Sequence, residues 1–310
     1  MNNEYEIVIA GGGIAGLTAA LYAARLGRRT LILSGAVPGG HLLSIEKIEG
    51  MPGFPEGVSG YELCPMVQEA AMAEGAEFAP SELVSVDPGE SGFLVRSETG
   101  AYQARSLILA TGASLKELGV PGEAALRGKG VSHCASCDGP MLRGQTAVVV
   151  GGGDSALQEA LTLAAFSESV VVLQRGAGLS AQSSYQRRVS EQQRIKVECR
   201  TVVEEILGTE VVSGVRVRDE TTKAQREIQA AAVFIYIGMS PNSGLVSGIL
   251  ELADSAHVPV DARMRSSVKG LLAAGVVRSG ASGQAVSSAG DGATAALAAD
   301  RYLRDGLWRQ

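Results

Sequence analysis

Aromatic residues fill only 4% of these 310 positions, histidine occurs three times and cysteine four times. Four cysteines (Cys64, Cys134, Cys137 and Cys199) are too few for the disulfide framework of a small secreted protein. Three histidines (His41, His133 and His257) leave little from which to build a metal centre. A basic surface is also missing. Lys and Arg number 27 against 33 Asp and Glu, a formal net charge of −6 and a pI near 5.3, which argues against a nucleic-acid partner. No run reaches the roughly 18 consecutive apolar residues of a membrane span. The opening "MNNEYEIVIAGGG" has no basic region of the kind a signal peptide carries. The expectation is a cytoplasmic protein that engages neither membrane nor nucleic acid. What is plentiful is glycine, with 40 residues, which suits an α/β protein with many tight turns.

The glycines are placed with purpose. "EYEIVIAGGGIAGLTAALYAARLGRRTLILSG" reads as strand, glycine turn, helix and strand. "IVIA" is a continuous apolar run, as a parallel strand buried on both faces requires, and Gly27 is a natural helix stop. Gly11, Gly13 and Gly16 follow G-x-G-x-x-G in its proper context. The first permits a sharp turn, the second lets a pyrophosphate approach the backbone, and the third lets helix and strand pack closely. The pattern returns in "QTAVVVGGGDSALQEALTLAAFSESVVVLQRG", with Gly151, Gly153 and Ala156. Two such motifs, each correctly flanked, predict two nucleotide-binding domains.

Short antiparallel strands are expected in "LVSVDPGESGFLVRSETGAYQARSLILATGA" and again in "VVEEILGTEVVSGVRVRDETTKAQREIQAAAVFIYIG". The tail, with a strand, a Gly/Ser-rich loop and a long helix, is assigned back to the first domain. The fold class is therefore α/β, with two Rossmann-like three-layer domains. The second is inserted into the first: residues 1–114 and 243–310 form one domain and 115–242 the other.

One further stretch asks a chemical question. In "HCASCDGPML" two cysteines stand two residues apart, as a redox pair, as two metal ligands or as two buried thiols. A metal would need two more ligands, and the remaining cysteines are distant and solitary, so no metal is expected.

The chain resembles the low-molecular-weight thioredoxin reductase family. The resemblance is carried by "GGGIAGLTAALYAARLG", "ATGASLKELGVPGE", "GKGVSHCASCDG", "GGGDSALQEAL", "IYIGMSPN" and "GQAVSSAGDGATAALAADRYL", in family order over nearly the whole length. It implies an FAD-dependent disulfide oxidoreductase and a two-fold homodimer. It makes the two cysteines a redox pair, with Cys137 facing the flavin, Cys134 attacking a disulfide substrate and Asp138 handling the proton. It implies an FAD site at Gly11, Gly13, Ile14, Ala15 and Gly16, in the wrapping loop at Ser34, Gly35, Gly39, Gly40, His41 and Leu42, at Thr111 and Gly112, and at Gly275, Gln284 and Ala285. Cys64 and Cys199 are read as small buried hydrophobes, and His133 as an ordinary loop histidine.

Three departures from the family pattern stand out. Val276 replaces an aspartate that contacts the FAD linker. His41 and Gly50 replace the glutamine and asparagine usual in the flavin-contacting loop. Finally, the arginine-rich stretch that holds the NADPH 2′-phosphate is here Gln174, Arg175, Gly176, Ala177, Gly178, Leu179 and Ser180, so only Arg175 survives. A second nucleotide is expected at Gly151, Gly153, Asp154, Ser155 and Arg175, with NADPH or NADH a weak occupant and another ADP-containing ligand an alternative. The partner is a thioredoxin-like protein or a small dithiol or disulfide, and a ferredoxin-like carrier is an alternative electron donor. The competing activities are an NADPH-dependent thioredoxin reductase and an oxygen-dependent dithiol oxidase.

Overall fold

The computed structural model describes residues 3–308. The chain divides into two compact units, Met1–Ser114 with Ser240–Gln310, and Leu115–Met239. The return crossing thus lies at 239–240, ahead of the expected 242. It falls inside a short strand, Met239–Pro241, that pairs with the outgoing strand Ala113–Leu115.

In the first unit the strands 77–79, 30–33, 4–10 and 101–109 lie side by side and parallel. The apolar run Ile7–Ala10 is buried on both faces, as its unbroken hydrophobicity dictates. Strands 92–97 and 83–89 extend this sheet antiparallel beyond 101–109. The first set of expected antiparallel strands therefore joins the main sheet. On one face Ile7 and Ile9 pack with helix α1 (Ile14–Arg25) and with Cys64 and Ala71 of α2 (Gly60–Ala73). On the other face Tyr5, Val8 and Ala10 meet Val86, Val95, Val246, Leu250 and Val258.

The second unit has a parallel sheet in the order 195–199, 169–174, 146–150, 232–235, 131–132. One face carries α3 (Ala135–Asp138), α4 (Asp154–Leu163) and α5 (Ser183–Glu191). The other carries a separate three-stranded antiparallel sheet, 201–208, 212–219 and 225–229, through Val203, Ile206, Val215 and Val217. The chain then returns to the first unit, where strand 271–273 pairs with 101–109 and α6 (Ala285–Asp305) packs on α1. No helix among the described residues is long and apolar enough to cross a membrane.

Candidate active site

Each glycine turn joins a buried strand to a helix, and the two are built alike. In the first, Gly11 has φ +112°, and a Cβ there would lie 2.2 Å from the Ala110 carbonyl oxygen. A Cβ on Gly16 would lie 1.9 Å from the Gly11 carbonyl oxygen. These two glycines serve packing and turning. Gly13, the N-cap of α1, has ordinary extended angles (φ −69°, ψ 175°) and nothing within 4 Å of a Cβ position. It has no internal reason to be glycine. The space above it, at the amide end of α1, is where a phosphate meets unpaired N–H groups. The residues present therefore fit the pyrophosphate of a dinucleotide, in a cradle that a methyl group would fill. Ile14 and Ala15 begin the helix and are buried.

The loop after the second strand closes over this turn. The Gly39 amide donates to the Gly12 carbonyl at 2.8 Å, and a Cβ on Gly40 would stand 3.3 Å from Gly13 Cα. Ser34 is buried, with its hydroxyl on the Ala79 carbonyl, while Gly35 takes φ +73°. Leu42 is half-buried and His41 exposed. Cys64 lies beneath this loop, fully buried, its Sγ 3.8 Å from the Gly39 carbonyl. Burial pushes its thiol up to about 11, so it is an inert packing group.

Two clamps hold the rest of this site, and neither was foreseen. Asn242 donates from Nδ2 to the Thr111 carbonyl at 3.0 Å and from its backbone N–H to the Gly112 carbonyl at 3.0 Å, and its own carbonyl accepts from Thr111 Oγ1 at 2.7 Å. Asp291 of α6 accepts the Gly275 amide at 3.1 Å and a two-pronged pair from Arg278, at 2.7 and 2.8 Å. A carboxylate thus stands at the turn where Val276 replaces the family's aspartate. It comes from the helix that begins with Gln284 as N-cap and Ala285 as first residue. The cue was present in "SSAGDGATAAL", a lone acid in a run of small residues.

In the second unit Gly151 has φ +141°. The Gly152 carbonyl accepts from the Ser180 and Ala181 amides at 2.8 and 3.1 Å, matching the Gly12–Gly39 closure. The loop 174–181 packs on its turn much as Ser34 packs on Gly12, where a Cβ would meet the Ser34 carbonyl oxygen at 2.4 Å. A Cβ on Gly152 would meet the Gln174 side chain at 2.5 Å, and one on Gly153 would meet Ser180 Oγ at 3.8 Å. Asp154, first in α4, binds the Gln182 backbone N–H at 2.7 Å and Nε2 at 2.6 Å. Ser155 and Arg175 are exposed.

In the same unit Cys134 and Cys137 form a disulfide with a Cα–Cα distance of 5.3 Å. Cys134 is the N-cap of α3, with its Sγ accepting the Cys137 amide at 3.3 Å and its own N–H on Ser132 Oγ at 3.1 Å. Cys137 is exposed and Cys134 half-buried. Asp138 ends α3, and Gly139 follows because a Cβ there would press on Phe166 at 3.0 Å. No group of three or more metal-ligating side chains occurs among the described residues. His133 Nδ1 lies 3.0 Å from the Ile235 carbonyl, and therefore carries the proton that this acceptor requires. Cys199 is free but half-exposed at a strand end, so the expected burial fails there.

Residues 5–292 match the family model described as pyridine nucleotide-disulphide oxidoreductase. The thioredoxin reductase of Treponema pallidum is 39% identical over 303 residues, covering 98% of both chains. The chain belongs to that family. Within it the likeness is to thioredoxin reductases: that of Bacillus subtilis is 37% identical over 97% of this chain and 95% of its own. The crystal structure of Lactococcus lactis thioredoxin reductase superposes with a TM-score of 0.94 at 34% identity, covering 97% of this chain and 99% of that one. As a family member the protein is an FAD-dependent disulfide oxidoreductase of the thioredoxin reductase type, with two Rossmann-like domains.

Proposed function

We propose that this enzyme passes electrons through Cys134 and Cys137 to or from a dithiol or disulfide partner, and that nicotinamide dinucleotides serve it poorly. The observation that carries the first part is the Cys134–Cys137 disulfide across α3, with Cys134 half-buried, Cys137 exposed and Asp138 next to it. Gly13 and the α1 amides would hold FAD, which when bound would supply or take up the electron pair. Reduction adds two electrons and two protons across the S–S bond. Cys134, as thiolate, attacks a partner disulfide and releases one partner sulfur. Cys137 then displaces the second and re-forms the Cys134–Cys137 bond. Asp138 handles the proton as each thiolate leaves. A thioredoxin-like protein is the default partner, because the relatives bear that name, and a homodimer is the expected assembly.

The second part rests on the loop 174–181. A 2′-phosphate gives up strong hydration and needs several converging donors. Here Arg175 is the single cation of the stretch. Gln174 fills the space under Gly152, and the Asp154 carboxylate adds negative charge at the α4 N-terminus. Each lost charge-assisted bond costs about 1.5–3 kcal/mol. The intact glycine turn leaves room for another ADP-containing ligand. Anaerobic stopped-flow reduction of the flavin tests this reading. Slow bleaching by both NADPH and NADH, with rapid bleaching by a small dithiol, is expected. Bleaching within seconds at micromolar NADPH would refute it and return the enzyme to NADPH-dependent thioredoxin reduction.

A further inference from the structure

The first turn of α3 contains a feature that the electron-transfer scheme does not use. The backbone N–H of Ala135, the amide next to Cys134, donates to Glu159 Oε2 at 3.2 Å. Glu159 comes from α4, so a carboxylate from a neighbouring helix occupies an amide at the active disulfide. Helix-start amides stabilise a cysteine thiolate, and proteins that exploit this become strong oxidants because their reduced form is favoured. An anion already seated at those amides acts in the opposite sense. It takes up a donor and repels a second negative charge beside it.

We propose that Glu159 is a positioning residue that keeps the Cys134–Cys137 dithiol strongly reducing, by holding a carboxylate on the Ala135 amide. The inference rests on the reading of this pair as redox-active. The other groups facing the pair are Asp138 at the end of α3, His133 just before Cys134, and Tyr236 after strand 232–235. Two neutral hydroxyls also touch Cys134: Ser132 Oγ accepts its N–H, and Ser136 Oγ lies 3.5 Å from its Sγ. His133 is turned by its Nδ1 toward the Ile235 carbonyl. The Tyr236 hydroxyl is buried without a hydrogen bond of full geometry, and burial together with the charges of Glu159 and Asp138 raises its pKa. The surroundings are therefore weighted toward negative charge, against a thiolate.

Glu159→Gln keeps an oxygen for the Ala135 amide and removes the charge, while Glu159→Asp keeps the charge. The holoenzyme and both variants are equilibrated with dithiothreitol at set dithiol-to-disulfide ratios, and thiols on Cys134 and Cys137 are counted by alkylation and mass spectrometry. Glu159→Gln is expected to shift the equilibrium toward the dithiol by about tenfold, roughly 30 mV for two electrons. It should also lower the pH at which Cys134 begins to alkylate rapidly. Glu159→Asp should stay within about threefold of the parent. An unchanged equilibrium in Glu159→Gln, or equal shifts in both variants, overturns the proposal. A measurement on the unmodified enzyme serves if Glu159→Gln does not fold. Its Cys134 should alkylate with an apparent pKa no lower than that of a free thiol, about 8.5, and a value near 6 overturns the proposal. A parent pair that dithiothreitol never reduces is a different result, refuting the redox reading itself.

Discussion

Replacing Gly13 by alanine separates a binding glycine from a folding one. The angles at Gly13 suit any residue, and nothing lies within 4 Å of the new Cβ. The folded chain without flavin should therefore lose only the small N-cap advantage of glycine over alanine, about 0.5–1 kcal/mol. For a chain of this size that is about 1–4 °C in melting temperature. The methyl group would, however, occupy the approach of a pyrophosphate to the α1 amides. One charge-assisted hydrogen bond lost there costs about 1.5–3 kcal/mol, or about 10- to 150-fold in FAD affinity. Gly16→Ala is the opposite case, since its Cβ would stand 1.9 Å from the Gly11 carbonyl oxygen and force helix and strand apart. Titration of flavin-free protein with FAD, followed by flavin fluorescence, reads the first effect, and thermal denaturation reads the second. Gly13→Ala binding FAD within twofold of the parent would refute the cradle. A fall of more than about 10 °C in the flavin-free melt would refute the claim that the position is open.

Cys134→Ser and Cys137→Ser should each bring disulfide turnover to background while FAD content stays at the parent level, and turnover at the parent rate in both would make the cysteines structural. Asp291→Asn leaves Arg278 facing no charge at a site where the two side chains are 8% and 16% exposed. Removing one partner of such a pair costs about 3–5 kcal/mol, so the melting temperature should drop by at least about 6 °C, and an unchanged melt would contradict the clamp. Stability should also fall in acid. At Glu6 burial favours the neutral form, but the Arg29 amide and the Arg28 guanidinium outweigh it, and at Glu198 Lys196 and Arg226 do the same, so both carboxyls titrate below their ordinary 4.5. A depressed folded value means stability that is present above pH 4.5 and is lost as the pH falls from there through the lower folded values. A melting temperature that rises on acidification below that point would contradict this.

What could be read in advance was local. The two glycine turns, their buried strands and their helices each lie within one short stretch, where hydrophobic period and turn chemistry agree. The resemblance then brought distant stretches to one cofactor. The side-chain clamps were hidden because they join residues far apart in sequence: Asn242 holds a carbonyl 131 residues earlier, and Glu159 reaches an amide 24 residues earlier. No periodicity signals such pairs. The packing of Gln174 against Gly152 was equally invisible, because Gln174 reads as an ordinary polar strand end until Gly152 is seen against it.

The insertion of one unit into the other has a consequence for how the chain is made. Residues 115–239 are contiguous and can complete their sheet as soon as they leave the ribosome, where segments fold in order of synthesis. The first unit must wait. Strand 101–109 lacks its neighbour 271–273 until the inserted unit has been built, and Arg28 of the first unit meets Asp300 only 272 residues later. Once strands 113–115 and 239–241 have paired, that long delay shrinks to a short loop closure with little entropy left to lose. The glycine turn at Gly11 and Gly13, which precedes the whole inserted unit in the chain, is therefore among the last parts of the molecule to be finished. A ribosome that stalls before α6 would release a chain with its disulfide unit folded and its flavin unit open.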